Sequence, residues 1–193
     1  MPYITDRVVH DADSHAMELP DWFNEFGTRQ VKKAFDERFK GGKDLDGLPK
    51  LHSSNEYRSQ NEAEIMTRKN YQALGAFDRN DRSEAVNHLG VATQLVFPTS
   101  PNVWLEQLEH GQDIELLYEV ADATNRAQAS FCAHDPRLFP VGYVPIADLE
   151  RTARAAETAL TVGTSALLIP WACPKNHATS HICLLYTSDA ADE

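Results

Sequence analysis

Four short apolar runs separated by helical segments constrain this chain more than any other feature. They are residues 8–13, Thr93-Gln94-Leu95-Val96-Phe97-Pro98, residues 138–145 and residues 165–170. Each is rich in Val, Leu, Ile or Phe and ends in proline or a polar residue, as buried parallel strands do. Between them lie segments with helical period. Asp81-x-x-Glu84 reads as a capping box before Ala85, Val86 and Leu89, closed by Gly90. Ser100-Pro101 suits an N-cap and first turn. Ile114, Leu117, Tyr118, Ala121, Asn125, Gln128 and Cys132 share one face of a long helix that stops before Pro136. Asp148 caps a last helix with an inner face of Leu149, Thr152, Ala153, Ala156, Ala159 and Leu160, ended by Gly163. Alternating strand and helix predicts an α/β fold with a parallel sheet.

Residues 16–78 break the alternation. They are polar, with Gly41-Gly42 and Gly47 as breakers, isolated leucines at 45 and 48, and one amphipathic turn at Phe35 and Phe39. An insertion directly after the first strand either overhangs the strand tips or forms a surface loop.

The first run ends in His10-Asp11-Ala12-Asp13-Ser14-His15. Strand side chains two apart face the same way, so Asp13 and His15 leave the tip together and His10 faces away. A carboxylate beside an imidazole is half a coordination shell for a divalent metal. Asp13 also suits a turn cap, and His15 an ordinary turn histidine. Glu18 either orients the His15 ring or is a solvated first-turn glutamate. Thr99 either faces the same cavity or caps the helix before Pro101. His134 suits a helix C-terminus. Trp171 either stacks on an aromatic substrate or packs at a rim. His177 and His181 are four apart, as metal ligands on a helix would be, but their surroundings read as loop.

Residues 183–193, Cys-Leu-Leu-Tyr-Thr-Ser-Asp-Ala-Ala-Asp-Glu, resemble the in-frame translation of an adapter used in DNA-sequencing libraries, a non-native tail. The natural sequence is then expected to run to about Ile182. The formal charge of −11 becomes −8 without the tail's three acidic residues, which argues against a basic nucleic-acid interface. Cys132 and Cys173 form no disulfide or metal motif. No apolar leader or membrane-length run occurs, so a cytoplasmic protein is expected.

Ordered motifs carry a resemblance. Asp11-Ala12-Asp13-Ser14-His15-Ala16-Met17-Glu18 is similar to the opening of the amidohydrolase-related family, which includes aminocarboxymuconate-semialdehyde decarboxylase-like enzymes. Gly75-Ala76-Phe77-Asp78, Asp81-Arg82, Leu89-Gly90-Val91 and Gln94-Leu95-Val96-Phe97-Pro98-Thr99 follow in family order. Asn125-Arg126, residues 131–138, Val141-Gly142-Tyr143-Val144-Pro145 and residues 163–170 complete it, over most of residues 7–182.

The resemblance implies the N-terminal half of a metal-dependent (β/α)8 TIM barrel, about four βα units within 1–182. Asp13 stands where the family's His-x-His motif has its first histidine, and His15 where it has the second. The implied cofactor is a divalent ion, Zn²⁺ or, given the harder carboxylate, Mn²⁺. The family's later ligands, two histidines and the strand-eight aspartate that serves as acid or base, have no counterpart before residue 182. No catalytic residue is therefore assigned, and this chain alone is expected to be inactive and to aggregate or pair through open strand edges.

The implied activity is hydrolysis of an amide, ester or lactone of a small molecule by metal-activated water. Non-oxidative decarboxylation in the same family is the alternative. A small-molecule substrate is the expected partner, with neither nucleic acid nor membrane, and relatives suggest a homodimer. A non-catalytic α/β binding module is the remaining alternative, against which the lack of a Gly-rich phosphate loop counts.

Overall fold

The computed structural model of the chain describes residues 1–39 and 45–170. Its elements run β1 (His10–His15), α1 (Arg29–Phe39), α2 (Leu48–His52), α3 (Asn55–Ala63), α4 (Arg79–Leu89), β2 (Thr93–Phe97), α5 (Ser100–Glu109), α6 (Ile114–Cys132), β3 (Leu138–Tyr143), α7 (Leu149–Thr161) and β4 (Ala166–Leu168). The strands form one parallel sheet in the order β1-β2-β3-β4. The α/β alternation read from the apolar runs is therefore what the chain adopts.

β1 starts two residues later than its apolar run suggests. Val8 is exposed, and Val9 only begins the ladder by accepting from the Ala92 amide. Pairing then follows β2 through the polar motif, and the Ala16 amide extends it to Phe97.

The four helices after residue 78 form where periodicity placed them, with different ends. Asp78 caps α4 by accepting from Asn80 and Asp81, whereas Asp81 and Glu84, expected as a capping box, both bind Arg58. Gly90 ends α4 in the left-handed region at φ 77°, and a Cβ there would meet the Ile4 carbonyl. α6 is buried on more than one face because it lies between the sheet and α1, α5 and α7. Two of its buried polar residues bond to the sheet: Gln128 donates to the Val96 carbonyl, and Asn125 bonds both the amide and the carbonyl of Tyr143. The inner face expected for α7 is shifted. Leu149 and Leu160 are exposed, while Ala159 is buried as expected and Ala155 joins it against the core.

The described part of the region 16–78 contributes helices and core residues. Thr28 accepts from the Val31 amide and opens α1, whose Val31 and Phe35 are fully buried with Phe23 and Trp104. Phe23 and Phe35 meet edge-to-face at 4.6 Å. A second core of Val86, Val96, Phe131, Cys132 and Leu138 packs α4 and α6 onto one face of the sheet. The opposite face, with Leu95 and Phe97 half-buried and Phe139 exposed, carries the end of β1. No described helix is long and apolar enough to cross a membrane.

Candidate metal centre

The tip of β1 is shaped by a bulge. Register with β2 passes from Asp11↔Gln94 to Ser14↔Val96, so three steps on β1 match two on β2. In a regular strand Asp11 and Ser14 would point to opposite faces; here both lie on the face of Gln94 and Val96. His10 and His15 share the other face, opposite Thr93 and Phe97. This corrects the expectation that His10 turns away from the pair: its Nδ1 lies 2.7 Å from Thr93 Oγ1, on the His15 side. Asp11 holds the bulge by accepting from the Asp13 amide at 3.1 Å.

Asp13 and His15 are brought together as their spacing predicts. Asp13 Oδ1 lies 3.5 Å from His15 Nε2, with the Asp13 side chain almost fully exposed. The His15 ring stacks on Phe97 at 5.6 Å. Its Nδ1 lies 3.2 Å from Thr99 Oγ1, and the Thr99 hydroxyl donates to the Ala16 carbonyl at 2.7 Å. A hydroxyl has one proton. Because Ala16 takes it, Thr99 can only accept from His15, which places the imidazole proton on Nδ1. Nε2 is then the ring nitrogen that faces Asp13. Thr99 thus faces the site, as one of its two readings held, and makes no side-chain cap although it occupies the N-cap position of α5.

Glu18 fits neither of its expected roles. It is fully buried, and its carboxylate accepts from the amides of Thr99 at 2.8 Å and Ser100 at 2.9 Å. It caps α5 from outside the helix, so Ser100-Pro101 is first turn rather than cap. Burial raises its pKa from 4.5 to about 7 against those two hydrogen bonds. The sequence signal was a lone acid within the apolar stretch Ala16-Met17-Glu18-Leu19-Pro20.

Beneath the pair lies Arg82, also missed in the motif reading. Its guanidinium is buried and donates to Gln94 Oε1 at 3.0 Å, to the carbonyls of His15 at 3.1 Å and Gly75 at 3.2 Å, and to Ser14 Oγ. Burial lowers its pKa. Asp11 reaches it through Gln94, whose amide donates to Asp11 Oδ2 at 3.0 Å. Gly75, at φ 72°, lets the α4 backbone approach; a Cβ there would stand 2.4 Å from Arg82 Cα.

A cleft of about 530 Å³ runs along β1, lined by Asp11, Asp13 and His15 together with Ile65, Arg68 and Lys69. The 16–78 region therefore does border the strand end. Tyr71 fastens it there by donating to the Glu18 carbonyl at 2.8 Å. Cys132 is buried, and its thiol is pushed up to about 12 by burial, so it is no nucleophile. His134 is exposed just beyond the C-terminus of α6. Trp171, Cys173, His177, His181 and the tail lie outside the described residues.

Among the described residues no group of three or more His, Cys, Asp or Glu side chains converges, so Asp13 and His15 stand as a pair. The chain matches no family model and no curated protein. The family resemblance therefore rests on the quoted motifs.

Proposed function

We propose that Asp13 and His15 are the first-strand ligands of a divalent metal centre in an amidohydrolase-related (β/α)8 hydrolase. Its substrates would be amides, esters or lactones of small molecules. The observation that carries this is the pair's geometry: His15 Nε2 lies 3.5 Å from an oxygen of the solvent-facing Asp13 carboxylate, with Thr99 Oγ1 at the other ring nitrogen. Two donors held at about 2.1 Å on one tetrahedral ion stand about 3.4 Å apart. The spacing therefore suits a shared cation. A bound divalent ion would supply activated water and polarise a carbonyl.

The barrel reading draws support from strand order. A doubly wound sheet reverses direction after its first strands, whereas this one proceeds β1-β2-β3-β4 without reversal. Helices cover the Gln94 and Val96 face, and the His15 face with Leu95, Phe97 and Phe139 would line the barrel interior.

Calorimetric titration of the chain with Zn²⁺ and Mn²⁺ tests the centre. Binding should fall at least tenfold in both Asp13→Ala and His15→Ala. Equal binding by all three proteins would remove the proposal.

A further inference from the structure

We infer that Lys69 and Arg82 form an anion subsite in the cleft along β1, one that selects organic acids, molecules with an apolar body and a carboxylate. As a statement about substrate this rests on the reading of Asp13 and His15 as a metal pair, but the subsite itself needs no ion.

Arg82 is buried at 6% exposure and lines the cleft. A guanidinium has five N–H donors. Four are spent on Gln94 Oε1, the His15 and Gly75 carbonyls and Ser14 Oγ, so one remains. None of those acceptors carries a charge, and Asp11 reaches Arg82 through the Gln94 amide. A buried cation with no carboxylate against it favours an anion that can take its remaining donor.

Lys69 lines the same cleft from the 16–78 region. It is exposed, and its ammonium makes no ion pair or hydrogen bond among the described residues. Its neighbour Arg68 is already engaged with Glu64, Gln60 and the Tyr57 ring. The backbone beside Lys69 is fixed. Asn70 holds φ 55°, the one non-glycine residue in the left-handed region among the described residues. The Tyr71 carbonyl lies 2.9 Å from His52 Nε2, and the Gln72 carbonyl accepts from the Tyr57 hydroxyl at 2.9 Å. A strained, pinned turn that carries a free ammonium suits recognition better than support. The lining also includes Met17, Ile65, Leu74 and Leu89, which suits an apolar body behind the charged head. Asp11 and Asp13 line the cleft too and oppose an anion. Asp11 is engaged with the Gln94 and Asp13 amides, and Asp13 is the carboxylate that a divalent ion would neutralise.

The test is amide NMR of the whole metal-free chain titrated with benzoate. Benzamide serves as the uncharged counterpart, and inorganic phosphate as an anion without an apolar body. Benzoate should give saturable shifts at residues 69, 70 and 82, and benzamide none. Lys69→Met, which changes an exposed side chain, should weaken benzoate about fivefold, and Lys69→Arg should restore most of the loss. Equal benzoate affinity in the wild type and Lys69→Met overturns the inference. So does benzamide or phosphate binding as tightly as benzoate. Lys69-dependent benzoate binding in a chain that does not bind Zn²⁺ supports the subsite and counts only against the metal pair. Zn²⁺ binding without Lys69-dependent benzoate binding overturns the subsite and leaves the metal pair standing.

Discussion

Asp11 and Asp13 are joined by a hydrogen bond from the Asp13 amide to Asp11 Oδ1 at 3.1 Å, and this contact divides the work of the two carboxylates. Asp13 faces solvent beside His15, while Asp11 turns to the Gln94 amide and holds the bulge that separates them. Asp11→Ala removes both acceptor contacts and leaves the strand free to revert to a regular register. The expected cost is about 1–2 kcal/mol of stability. Asp11→Asn should lie between, because it keeps the acceptor for Asp13 but sets two amide donors against each other at Gln94. Urea denaturation of the three proteins checks the order; equal stabilities would mean that Asp11 does not hold the bulge.

Arg82 is the residue on which the site's support converges. Its fork reaches β1, β2 and the Gly75 turn at once. Arg82→Met would leave these buried acceptors without donors, at an expected cost of about 3–5 kcal/mol. Arg82→Lys should recover little of it, since an ammonium group cannot span the planar fork. Full recovery by lysine in a thermal melt would show that charge, not the fork, is what the site needs.

The helices and strands after residue 78 were legible because each carries its own periodicity. The 16–78 region was not, because its core residues Phe23, Val31 and Phe35 are spread among charges and pack against residues far along the chain, such as Trp104 and Leu117. At the site, alternation brought Asp13 and His15 together, but it misplaced His10. A bulge leaves no mark on composition, and one inserted residue reverses every side chain beyond it. Glu18 was misread for a related reason: its partners are backbone amides about 80 residues away, which have no sequence signature.

Glu18 gives folding stability a defined pH dependence. Its pKa of about 7 in the folded chain lies above the ordinary 4.5, so the folded state binds this proton more tightly than the unfolded state. The resulting stabilisation is fully present below pH 4.5, is lost as pH rises toward about 7, and then levels off. The span corresponds to roughly 3 kcal/mol. Urea midpoints at pH 5 and pH 8 should therefore separate more in the wild type than in Glu18→Gln. Parallel behaviour of the two proteins would show that Glu18 does not titrate in this range.

Self-association should follow the exposed sheet face rather than the strand edges. Among the described residues, β1 and β4 each pair on one side only, and such edges invite pairing with another chain. Both are blunted, however: β1 carries the bulge and β4 spans only Ala166–Leu168. The face with Leu95 and Phe97 has no such protection, and Phe139 on it is 38% exposed. Leu149 and Leu160 of α7 and Ile169 beyond β4 add exposed apolar surface elsewhere. Light scattering over a tenfold range of concentration should show growing mass in the wild type. Phe139→Lys should suppress it, because burying an unpaired ammonium group in an apolar contact costs more than the contact supplies. A lysine at the exposed Ala12 on β1 should have little effect. The reverse ranking would assign association to the β1 edge, and a constant monomer mass at every concentration would remove the prediction.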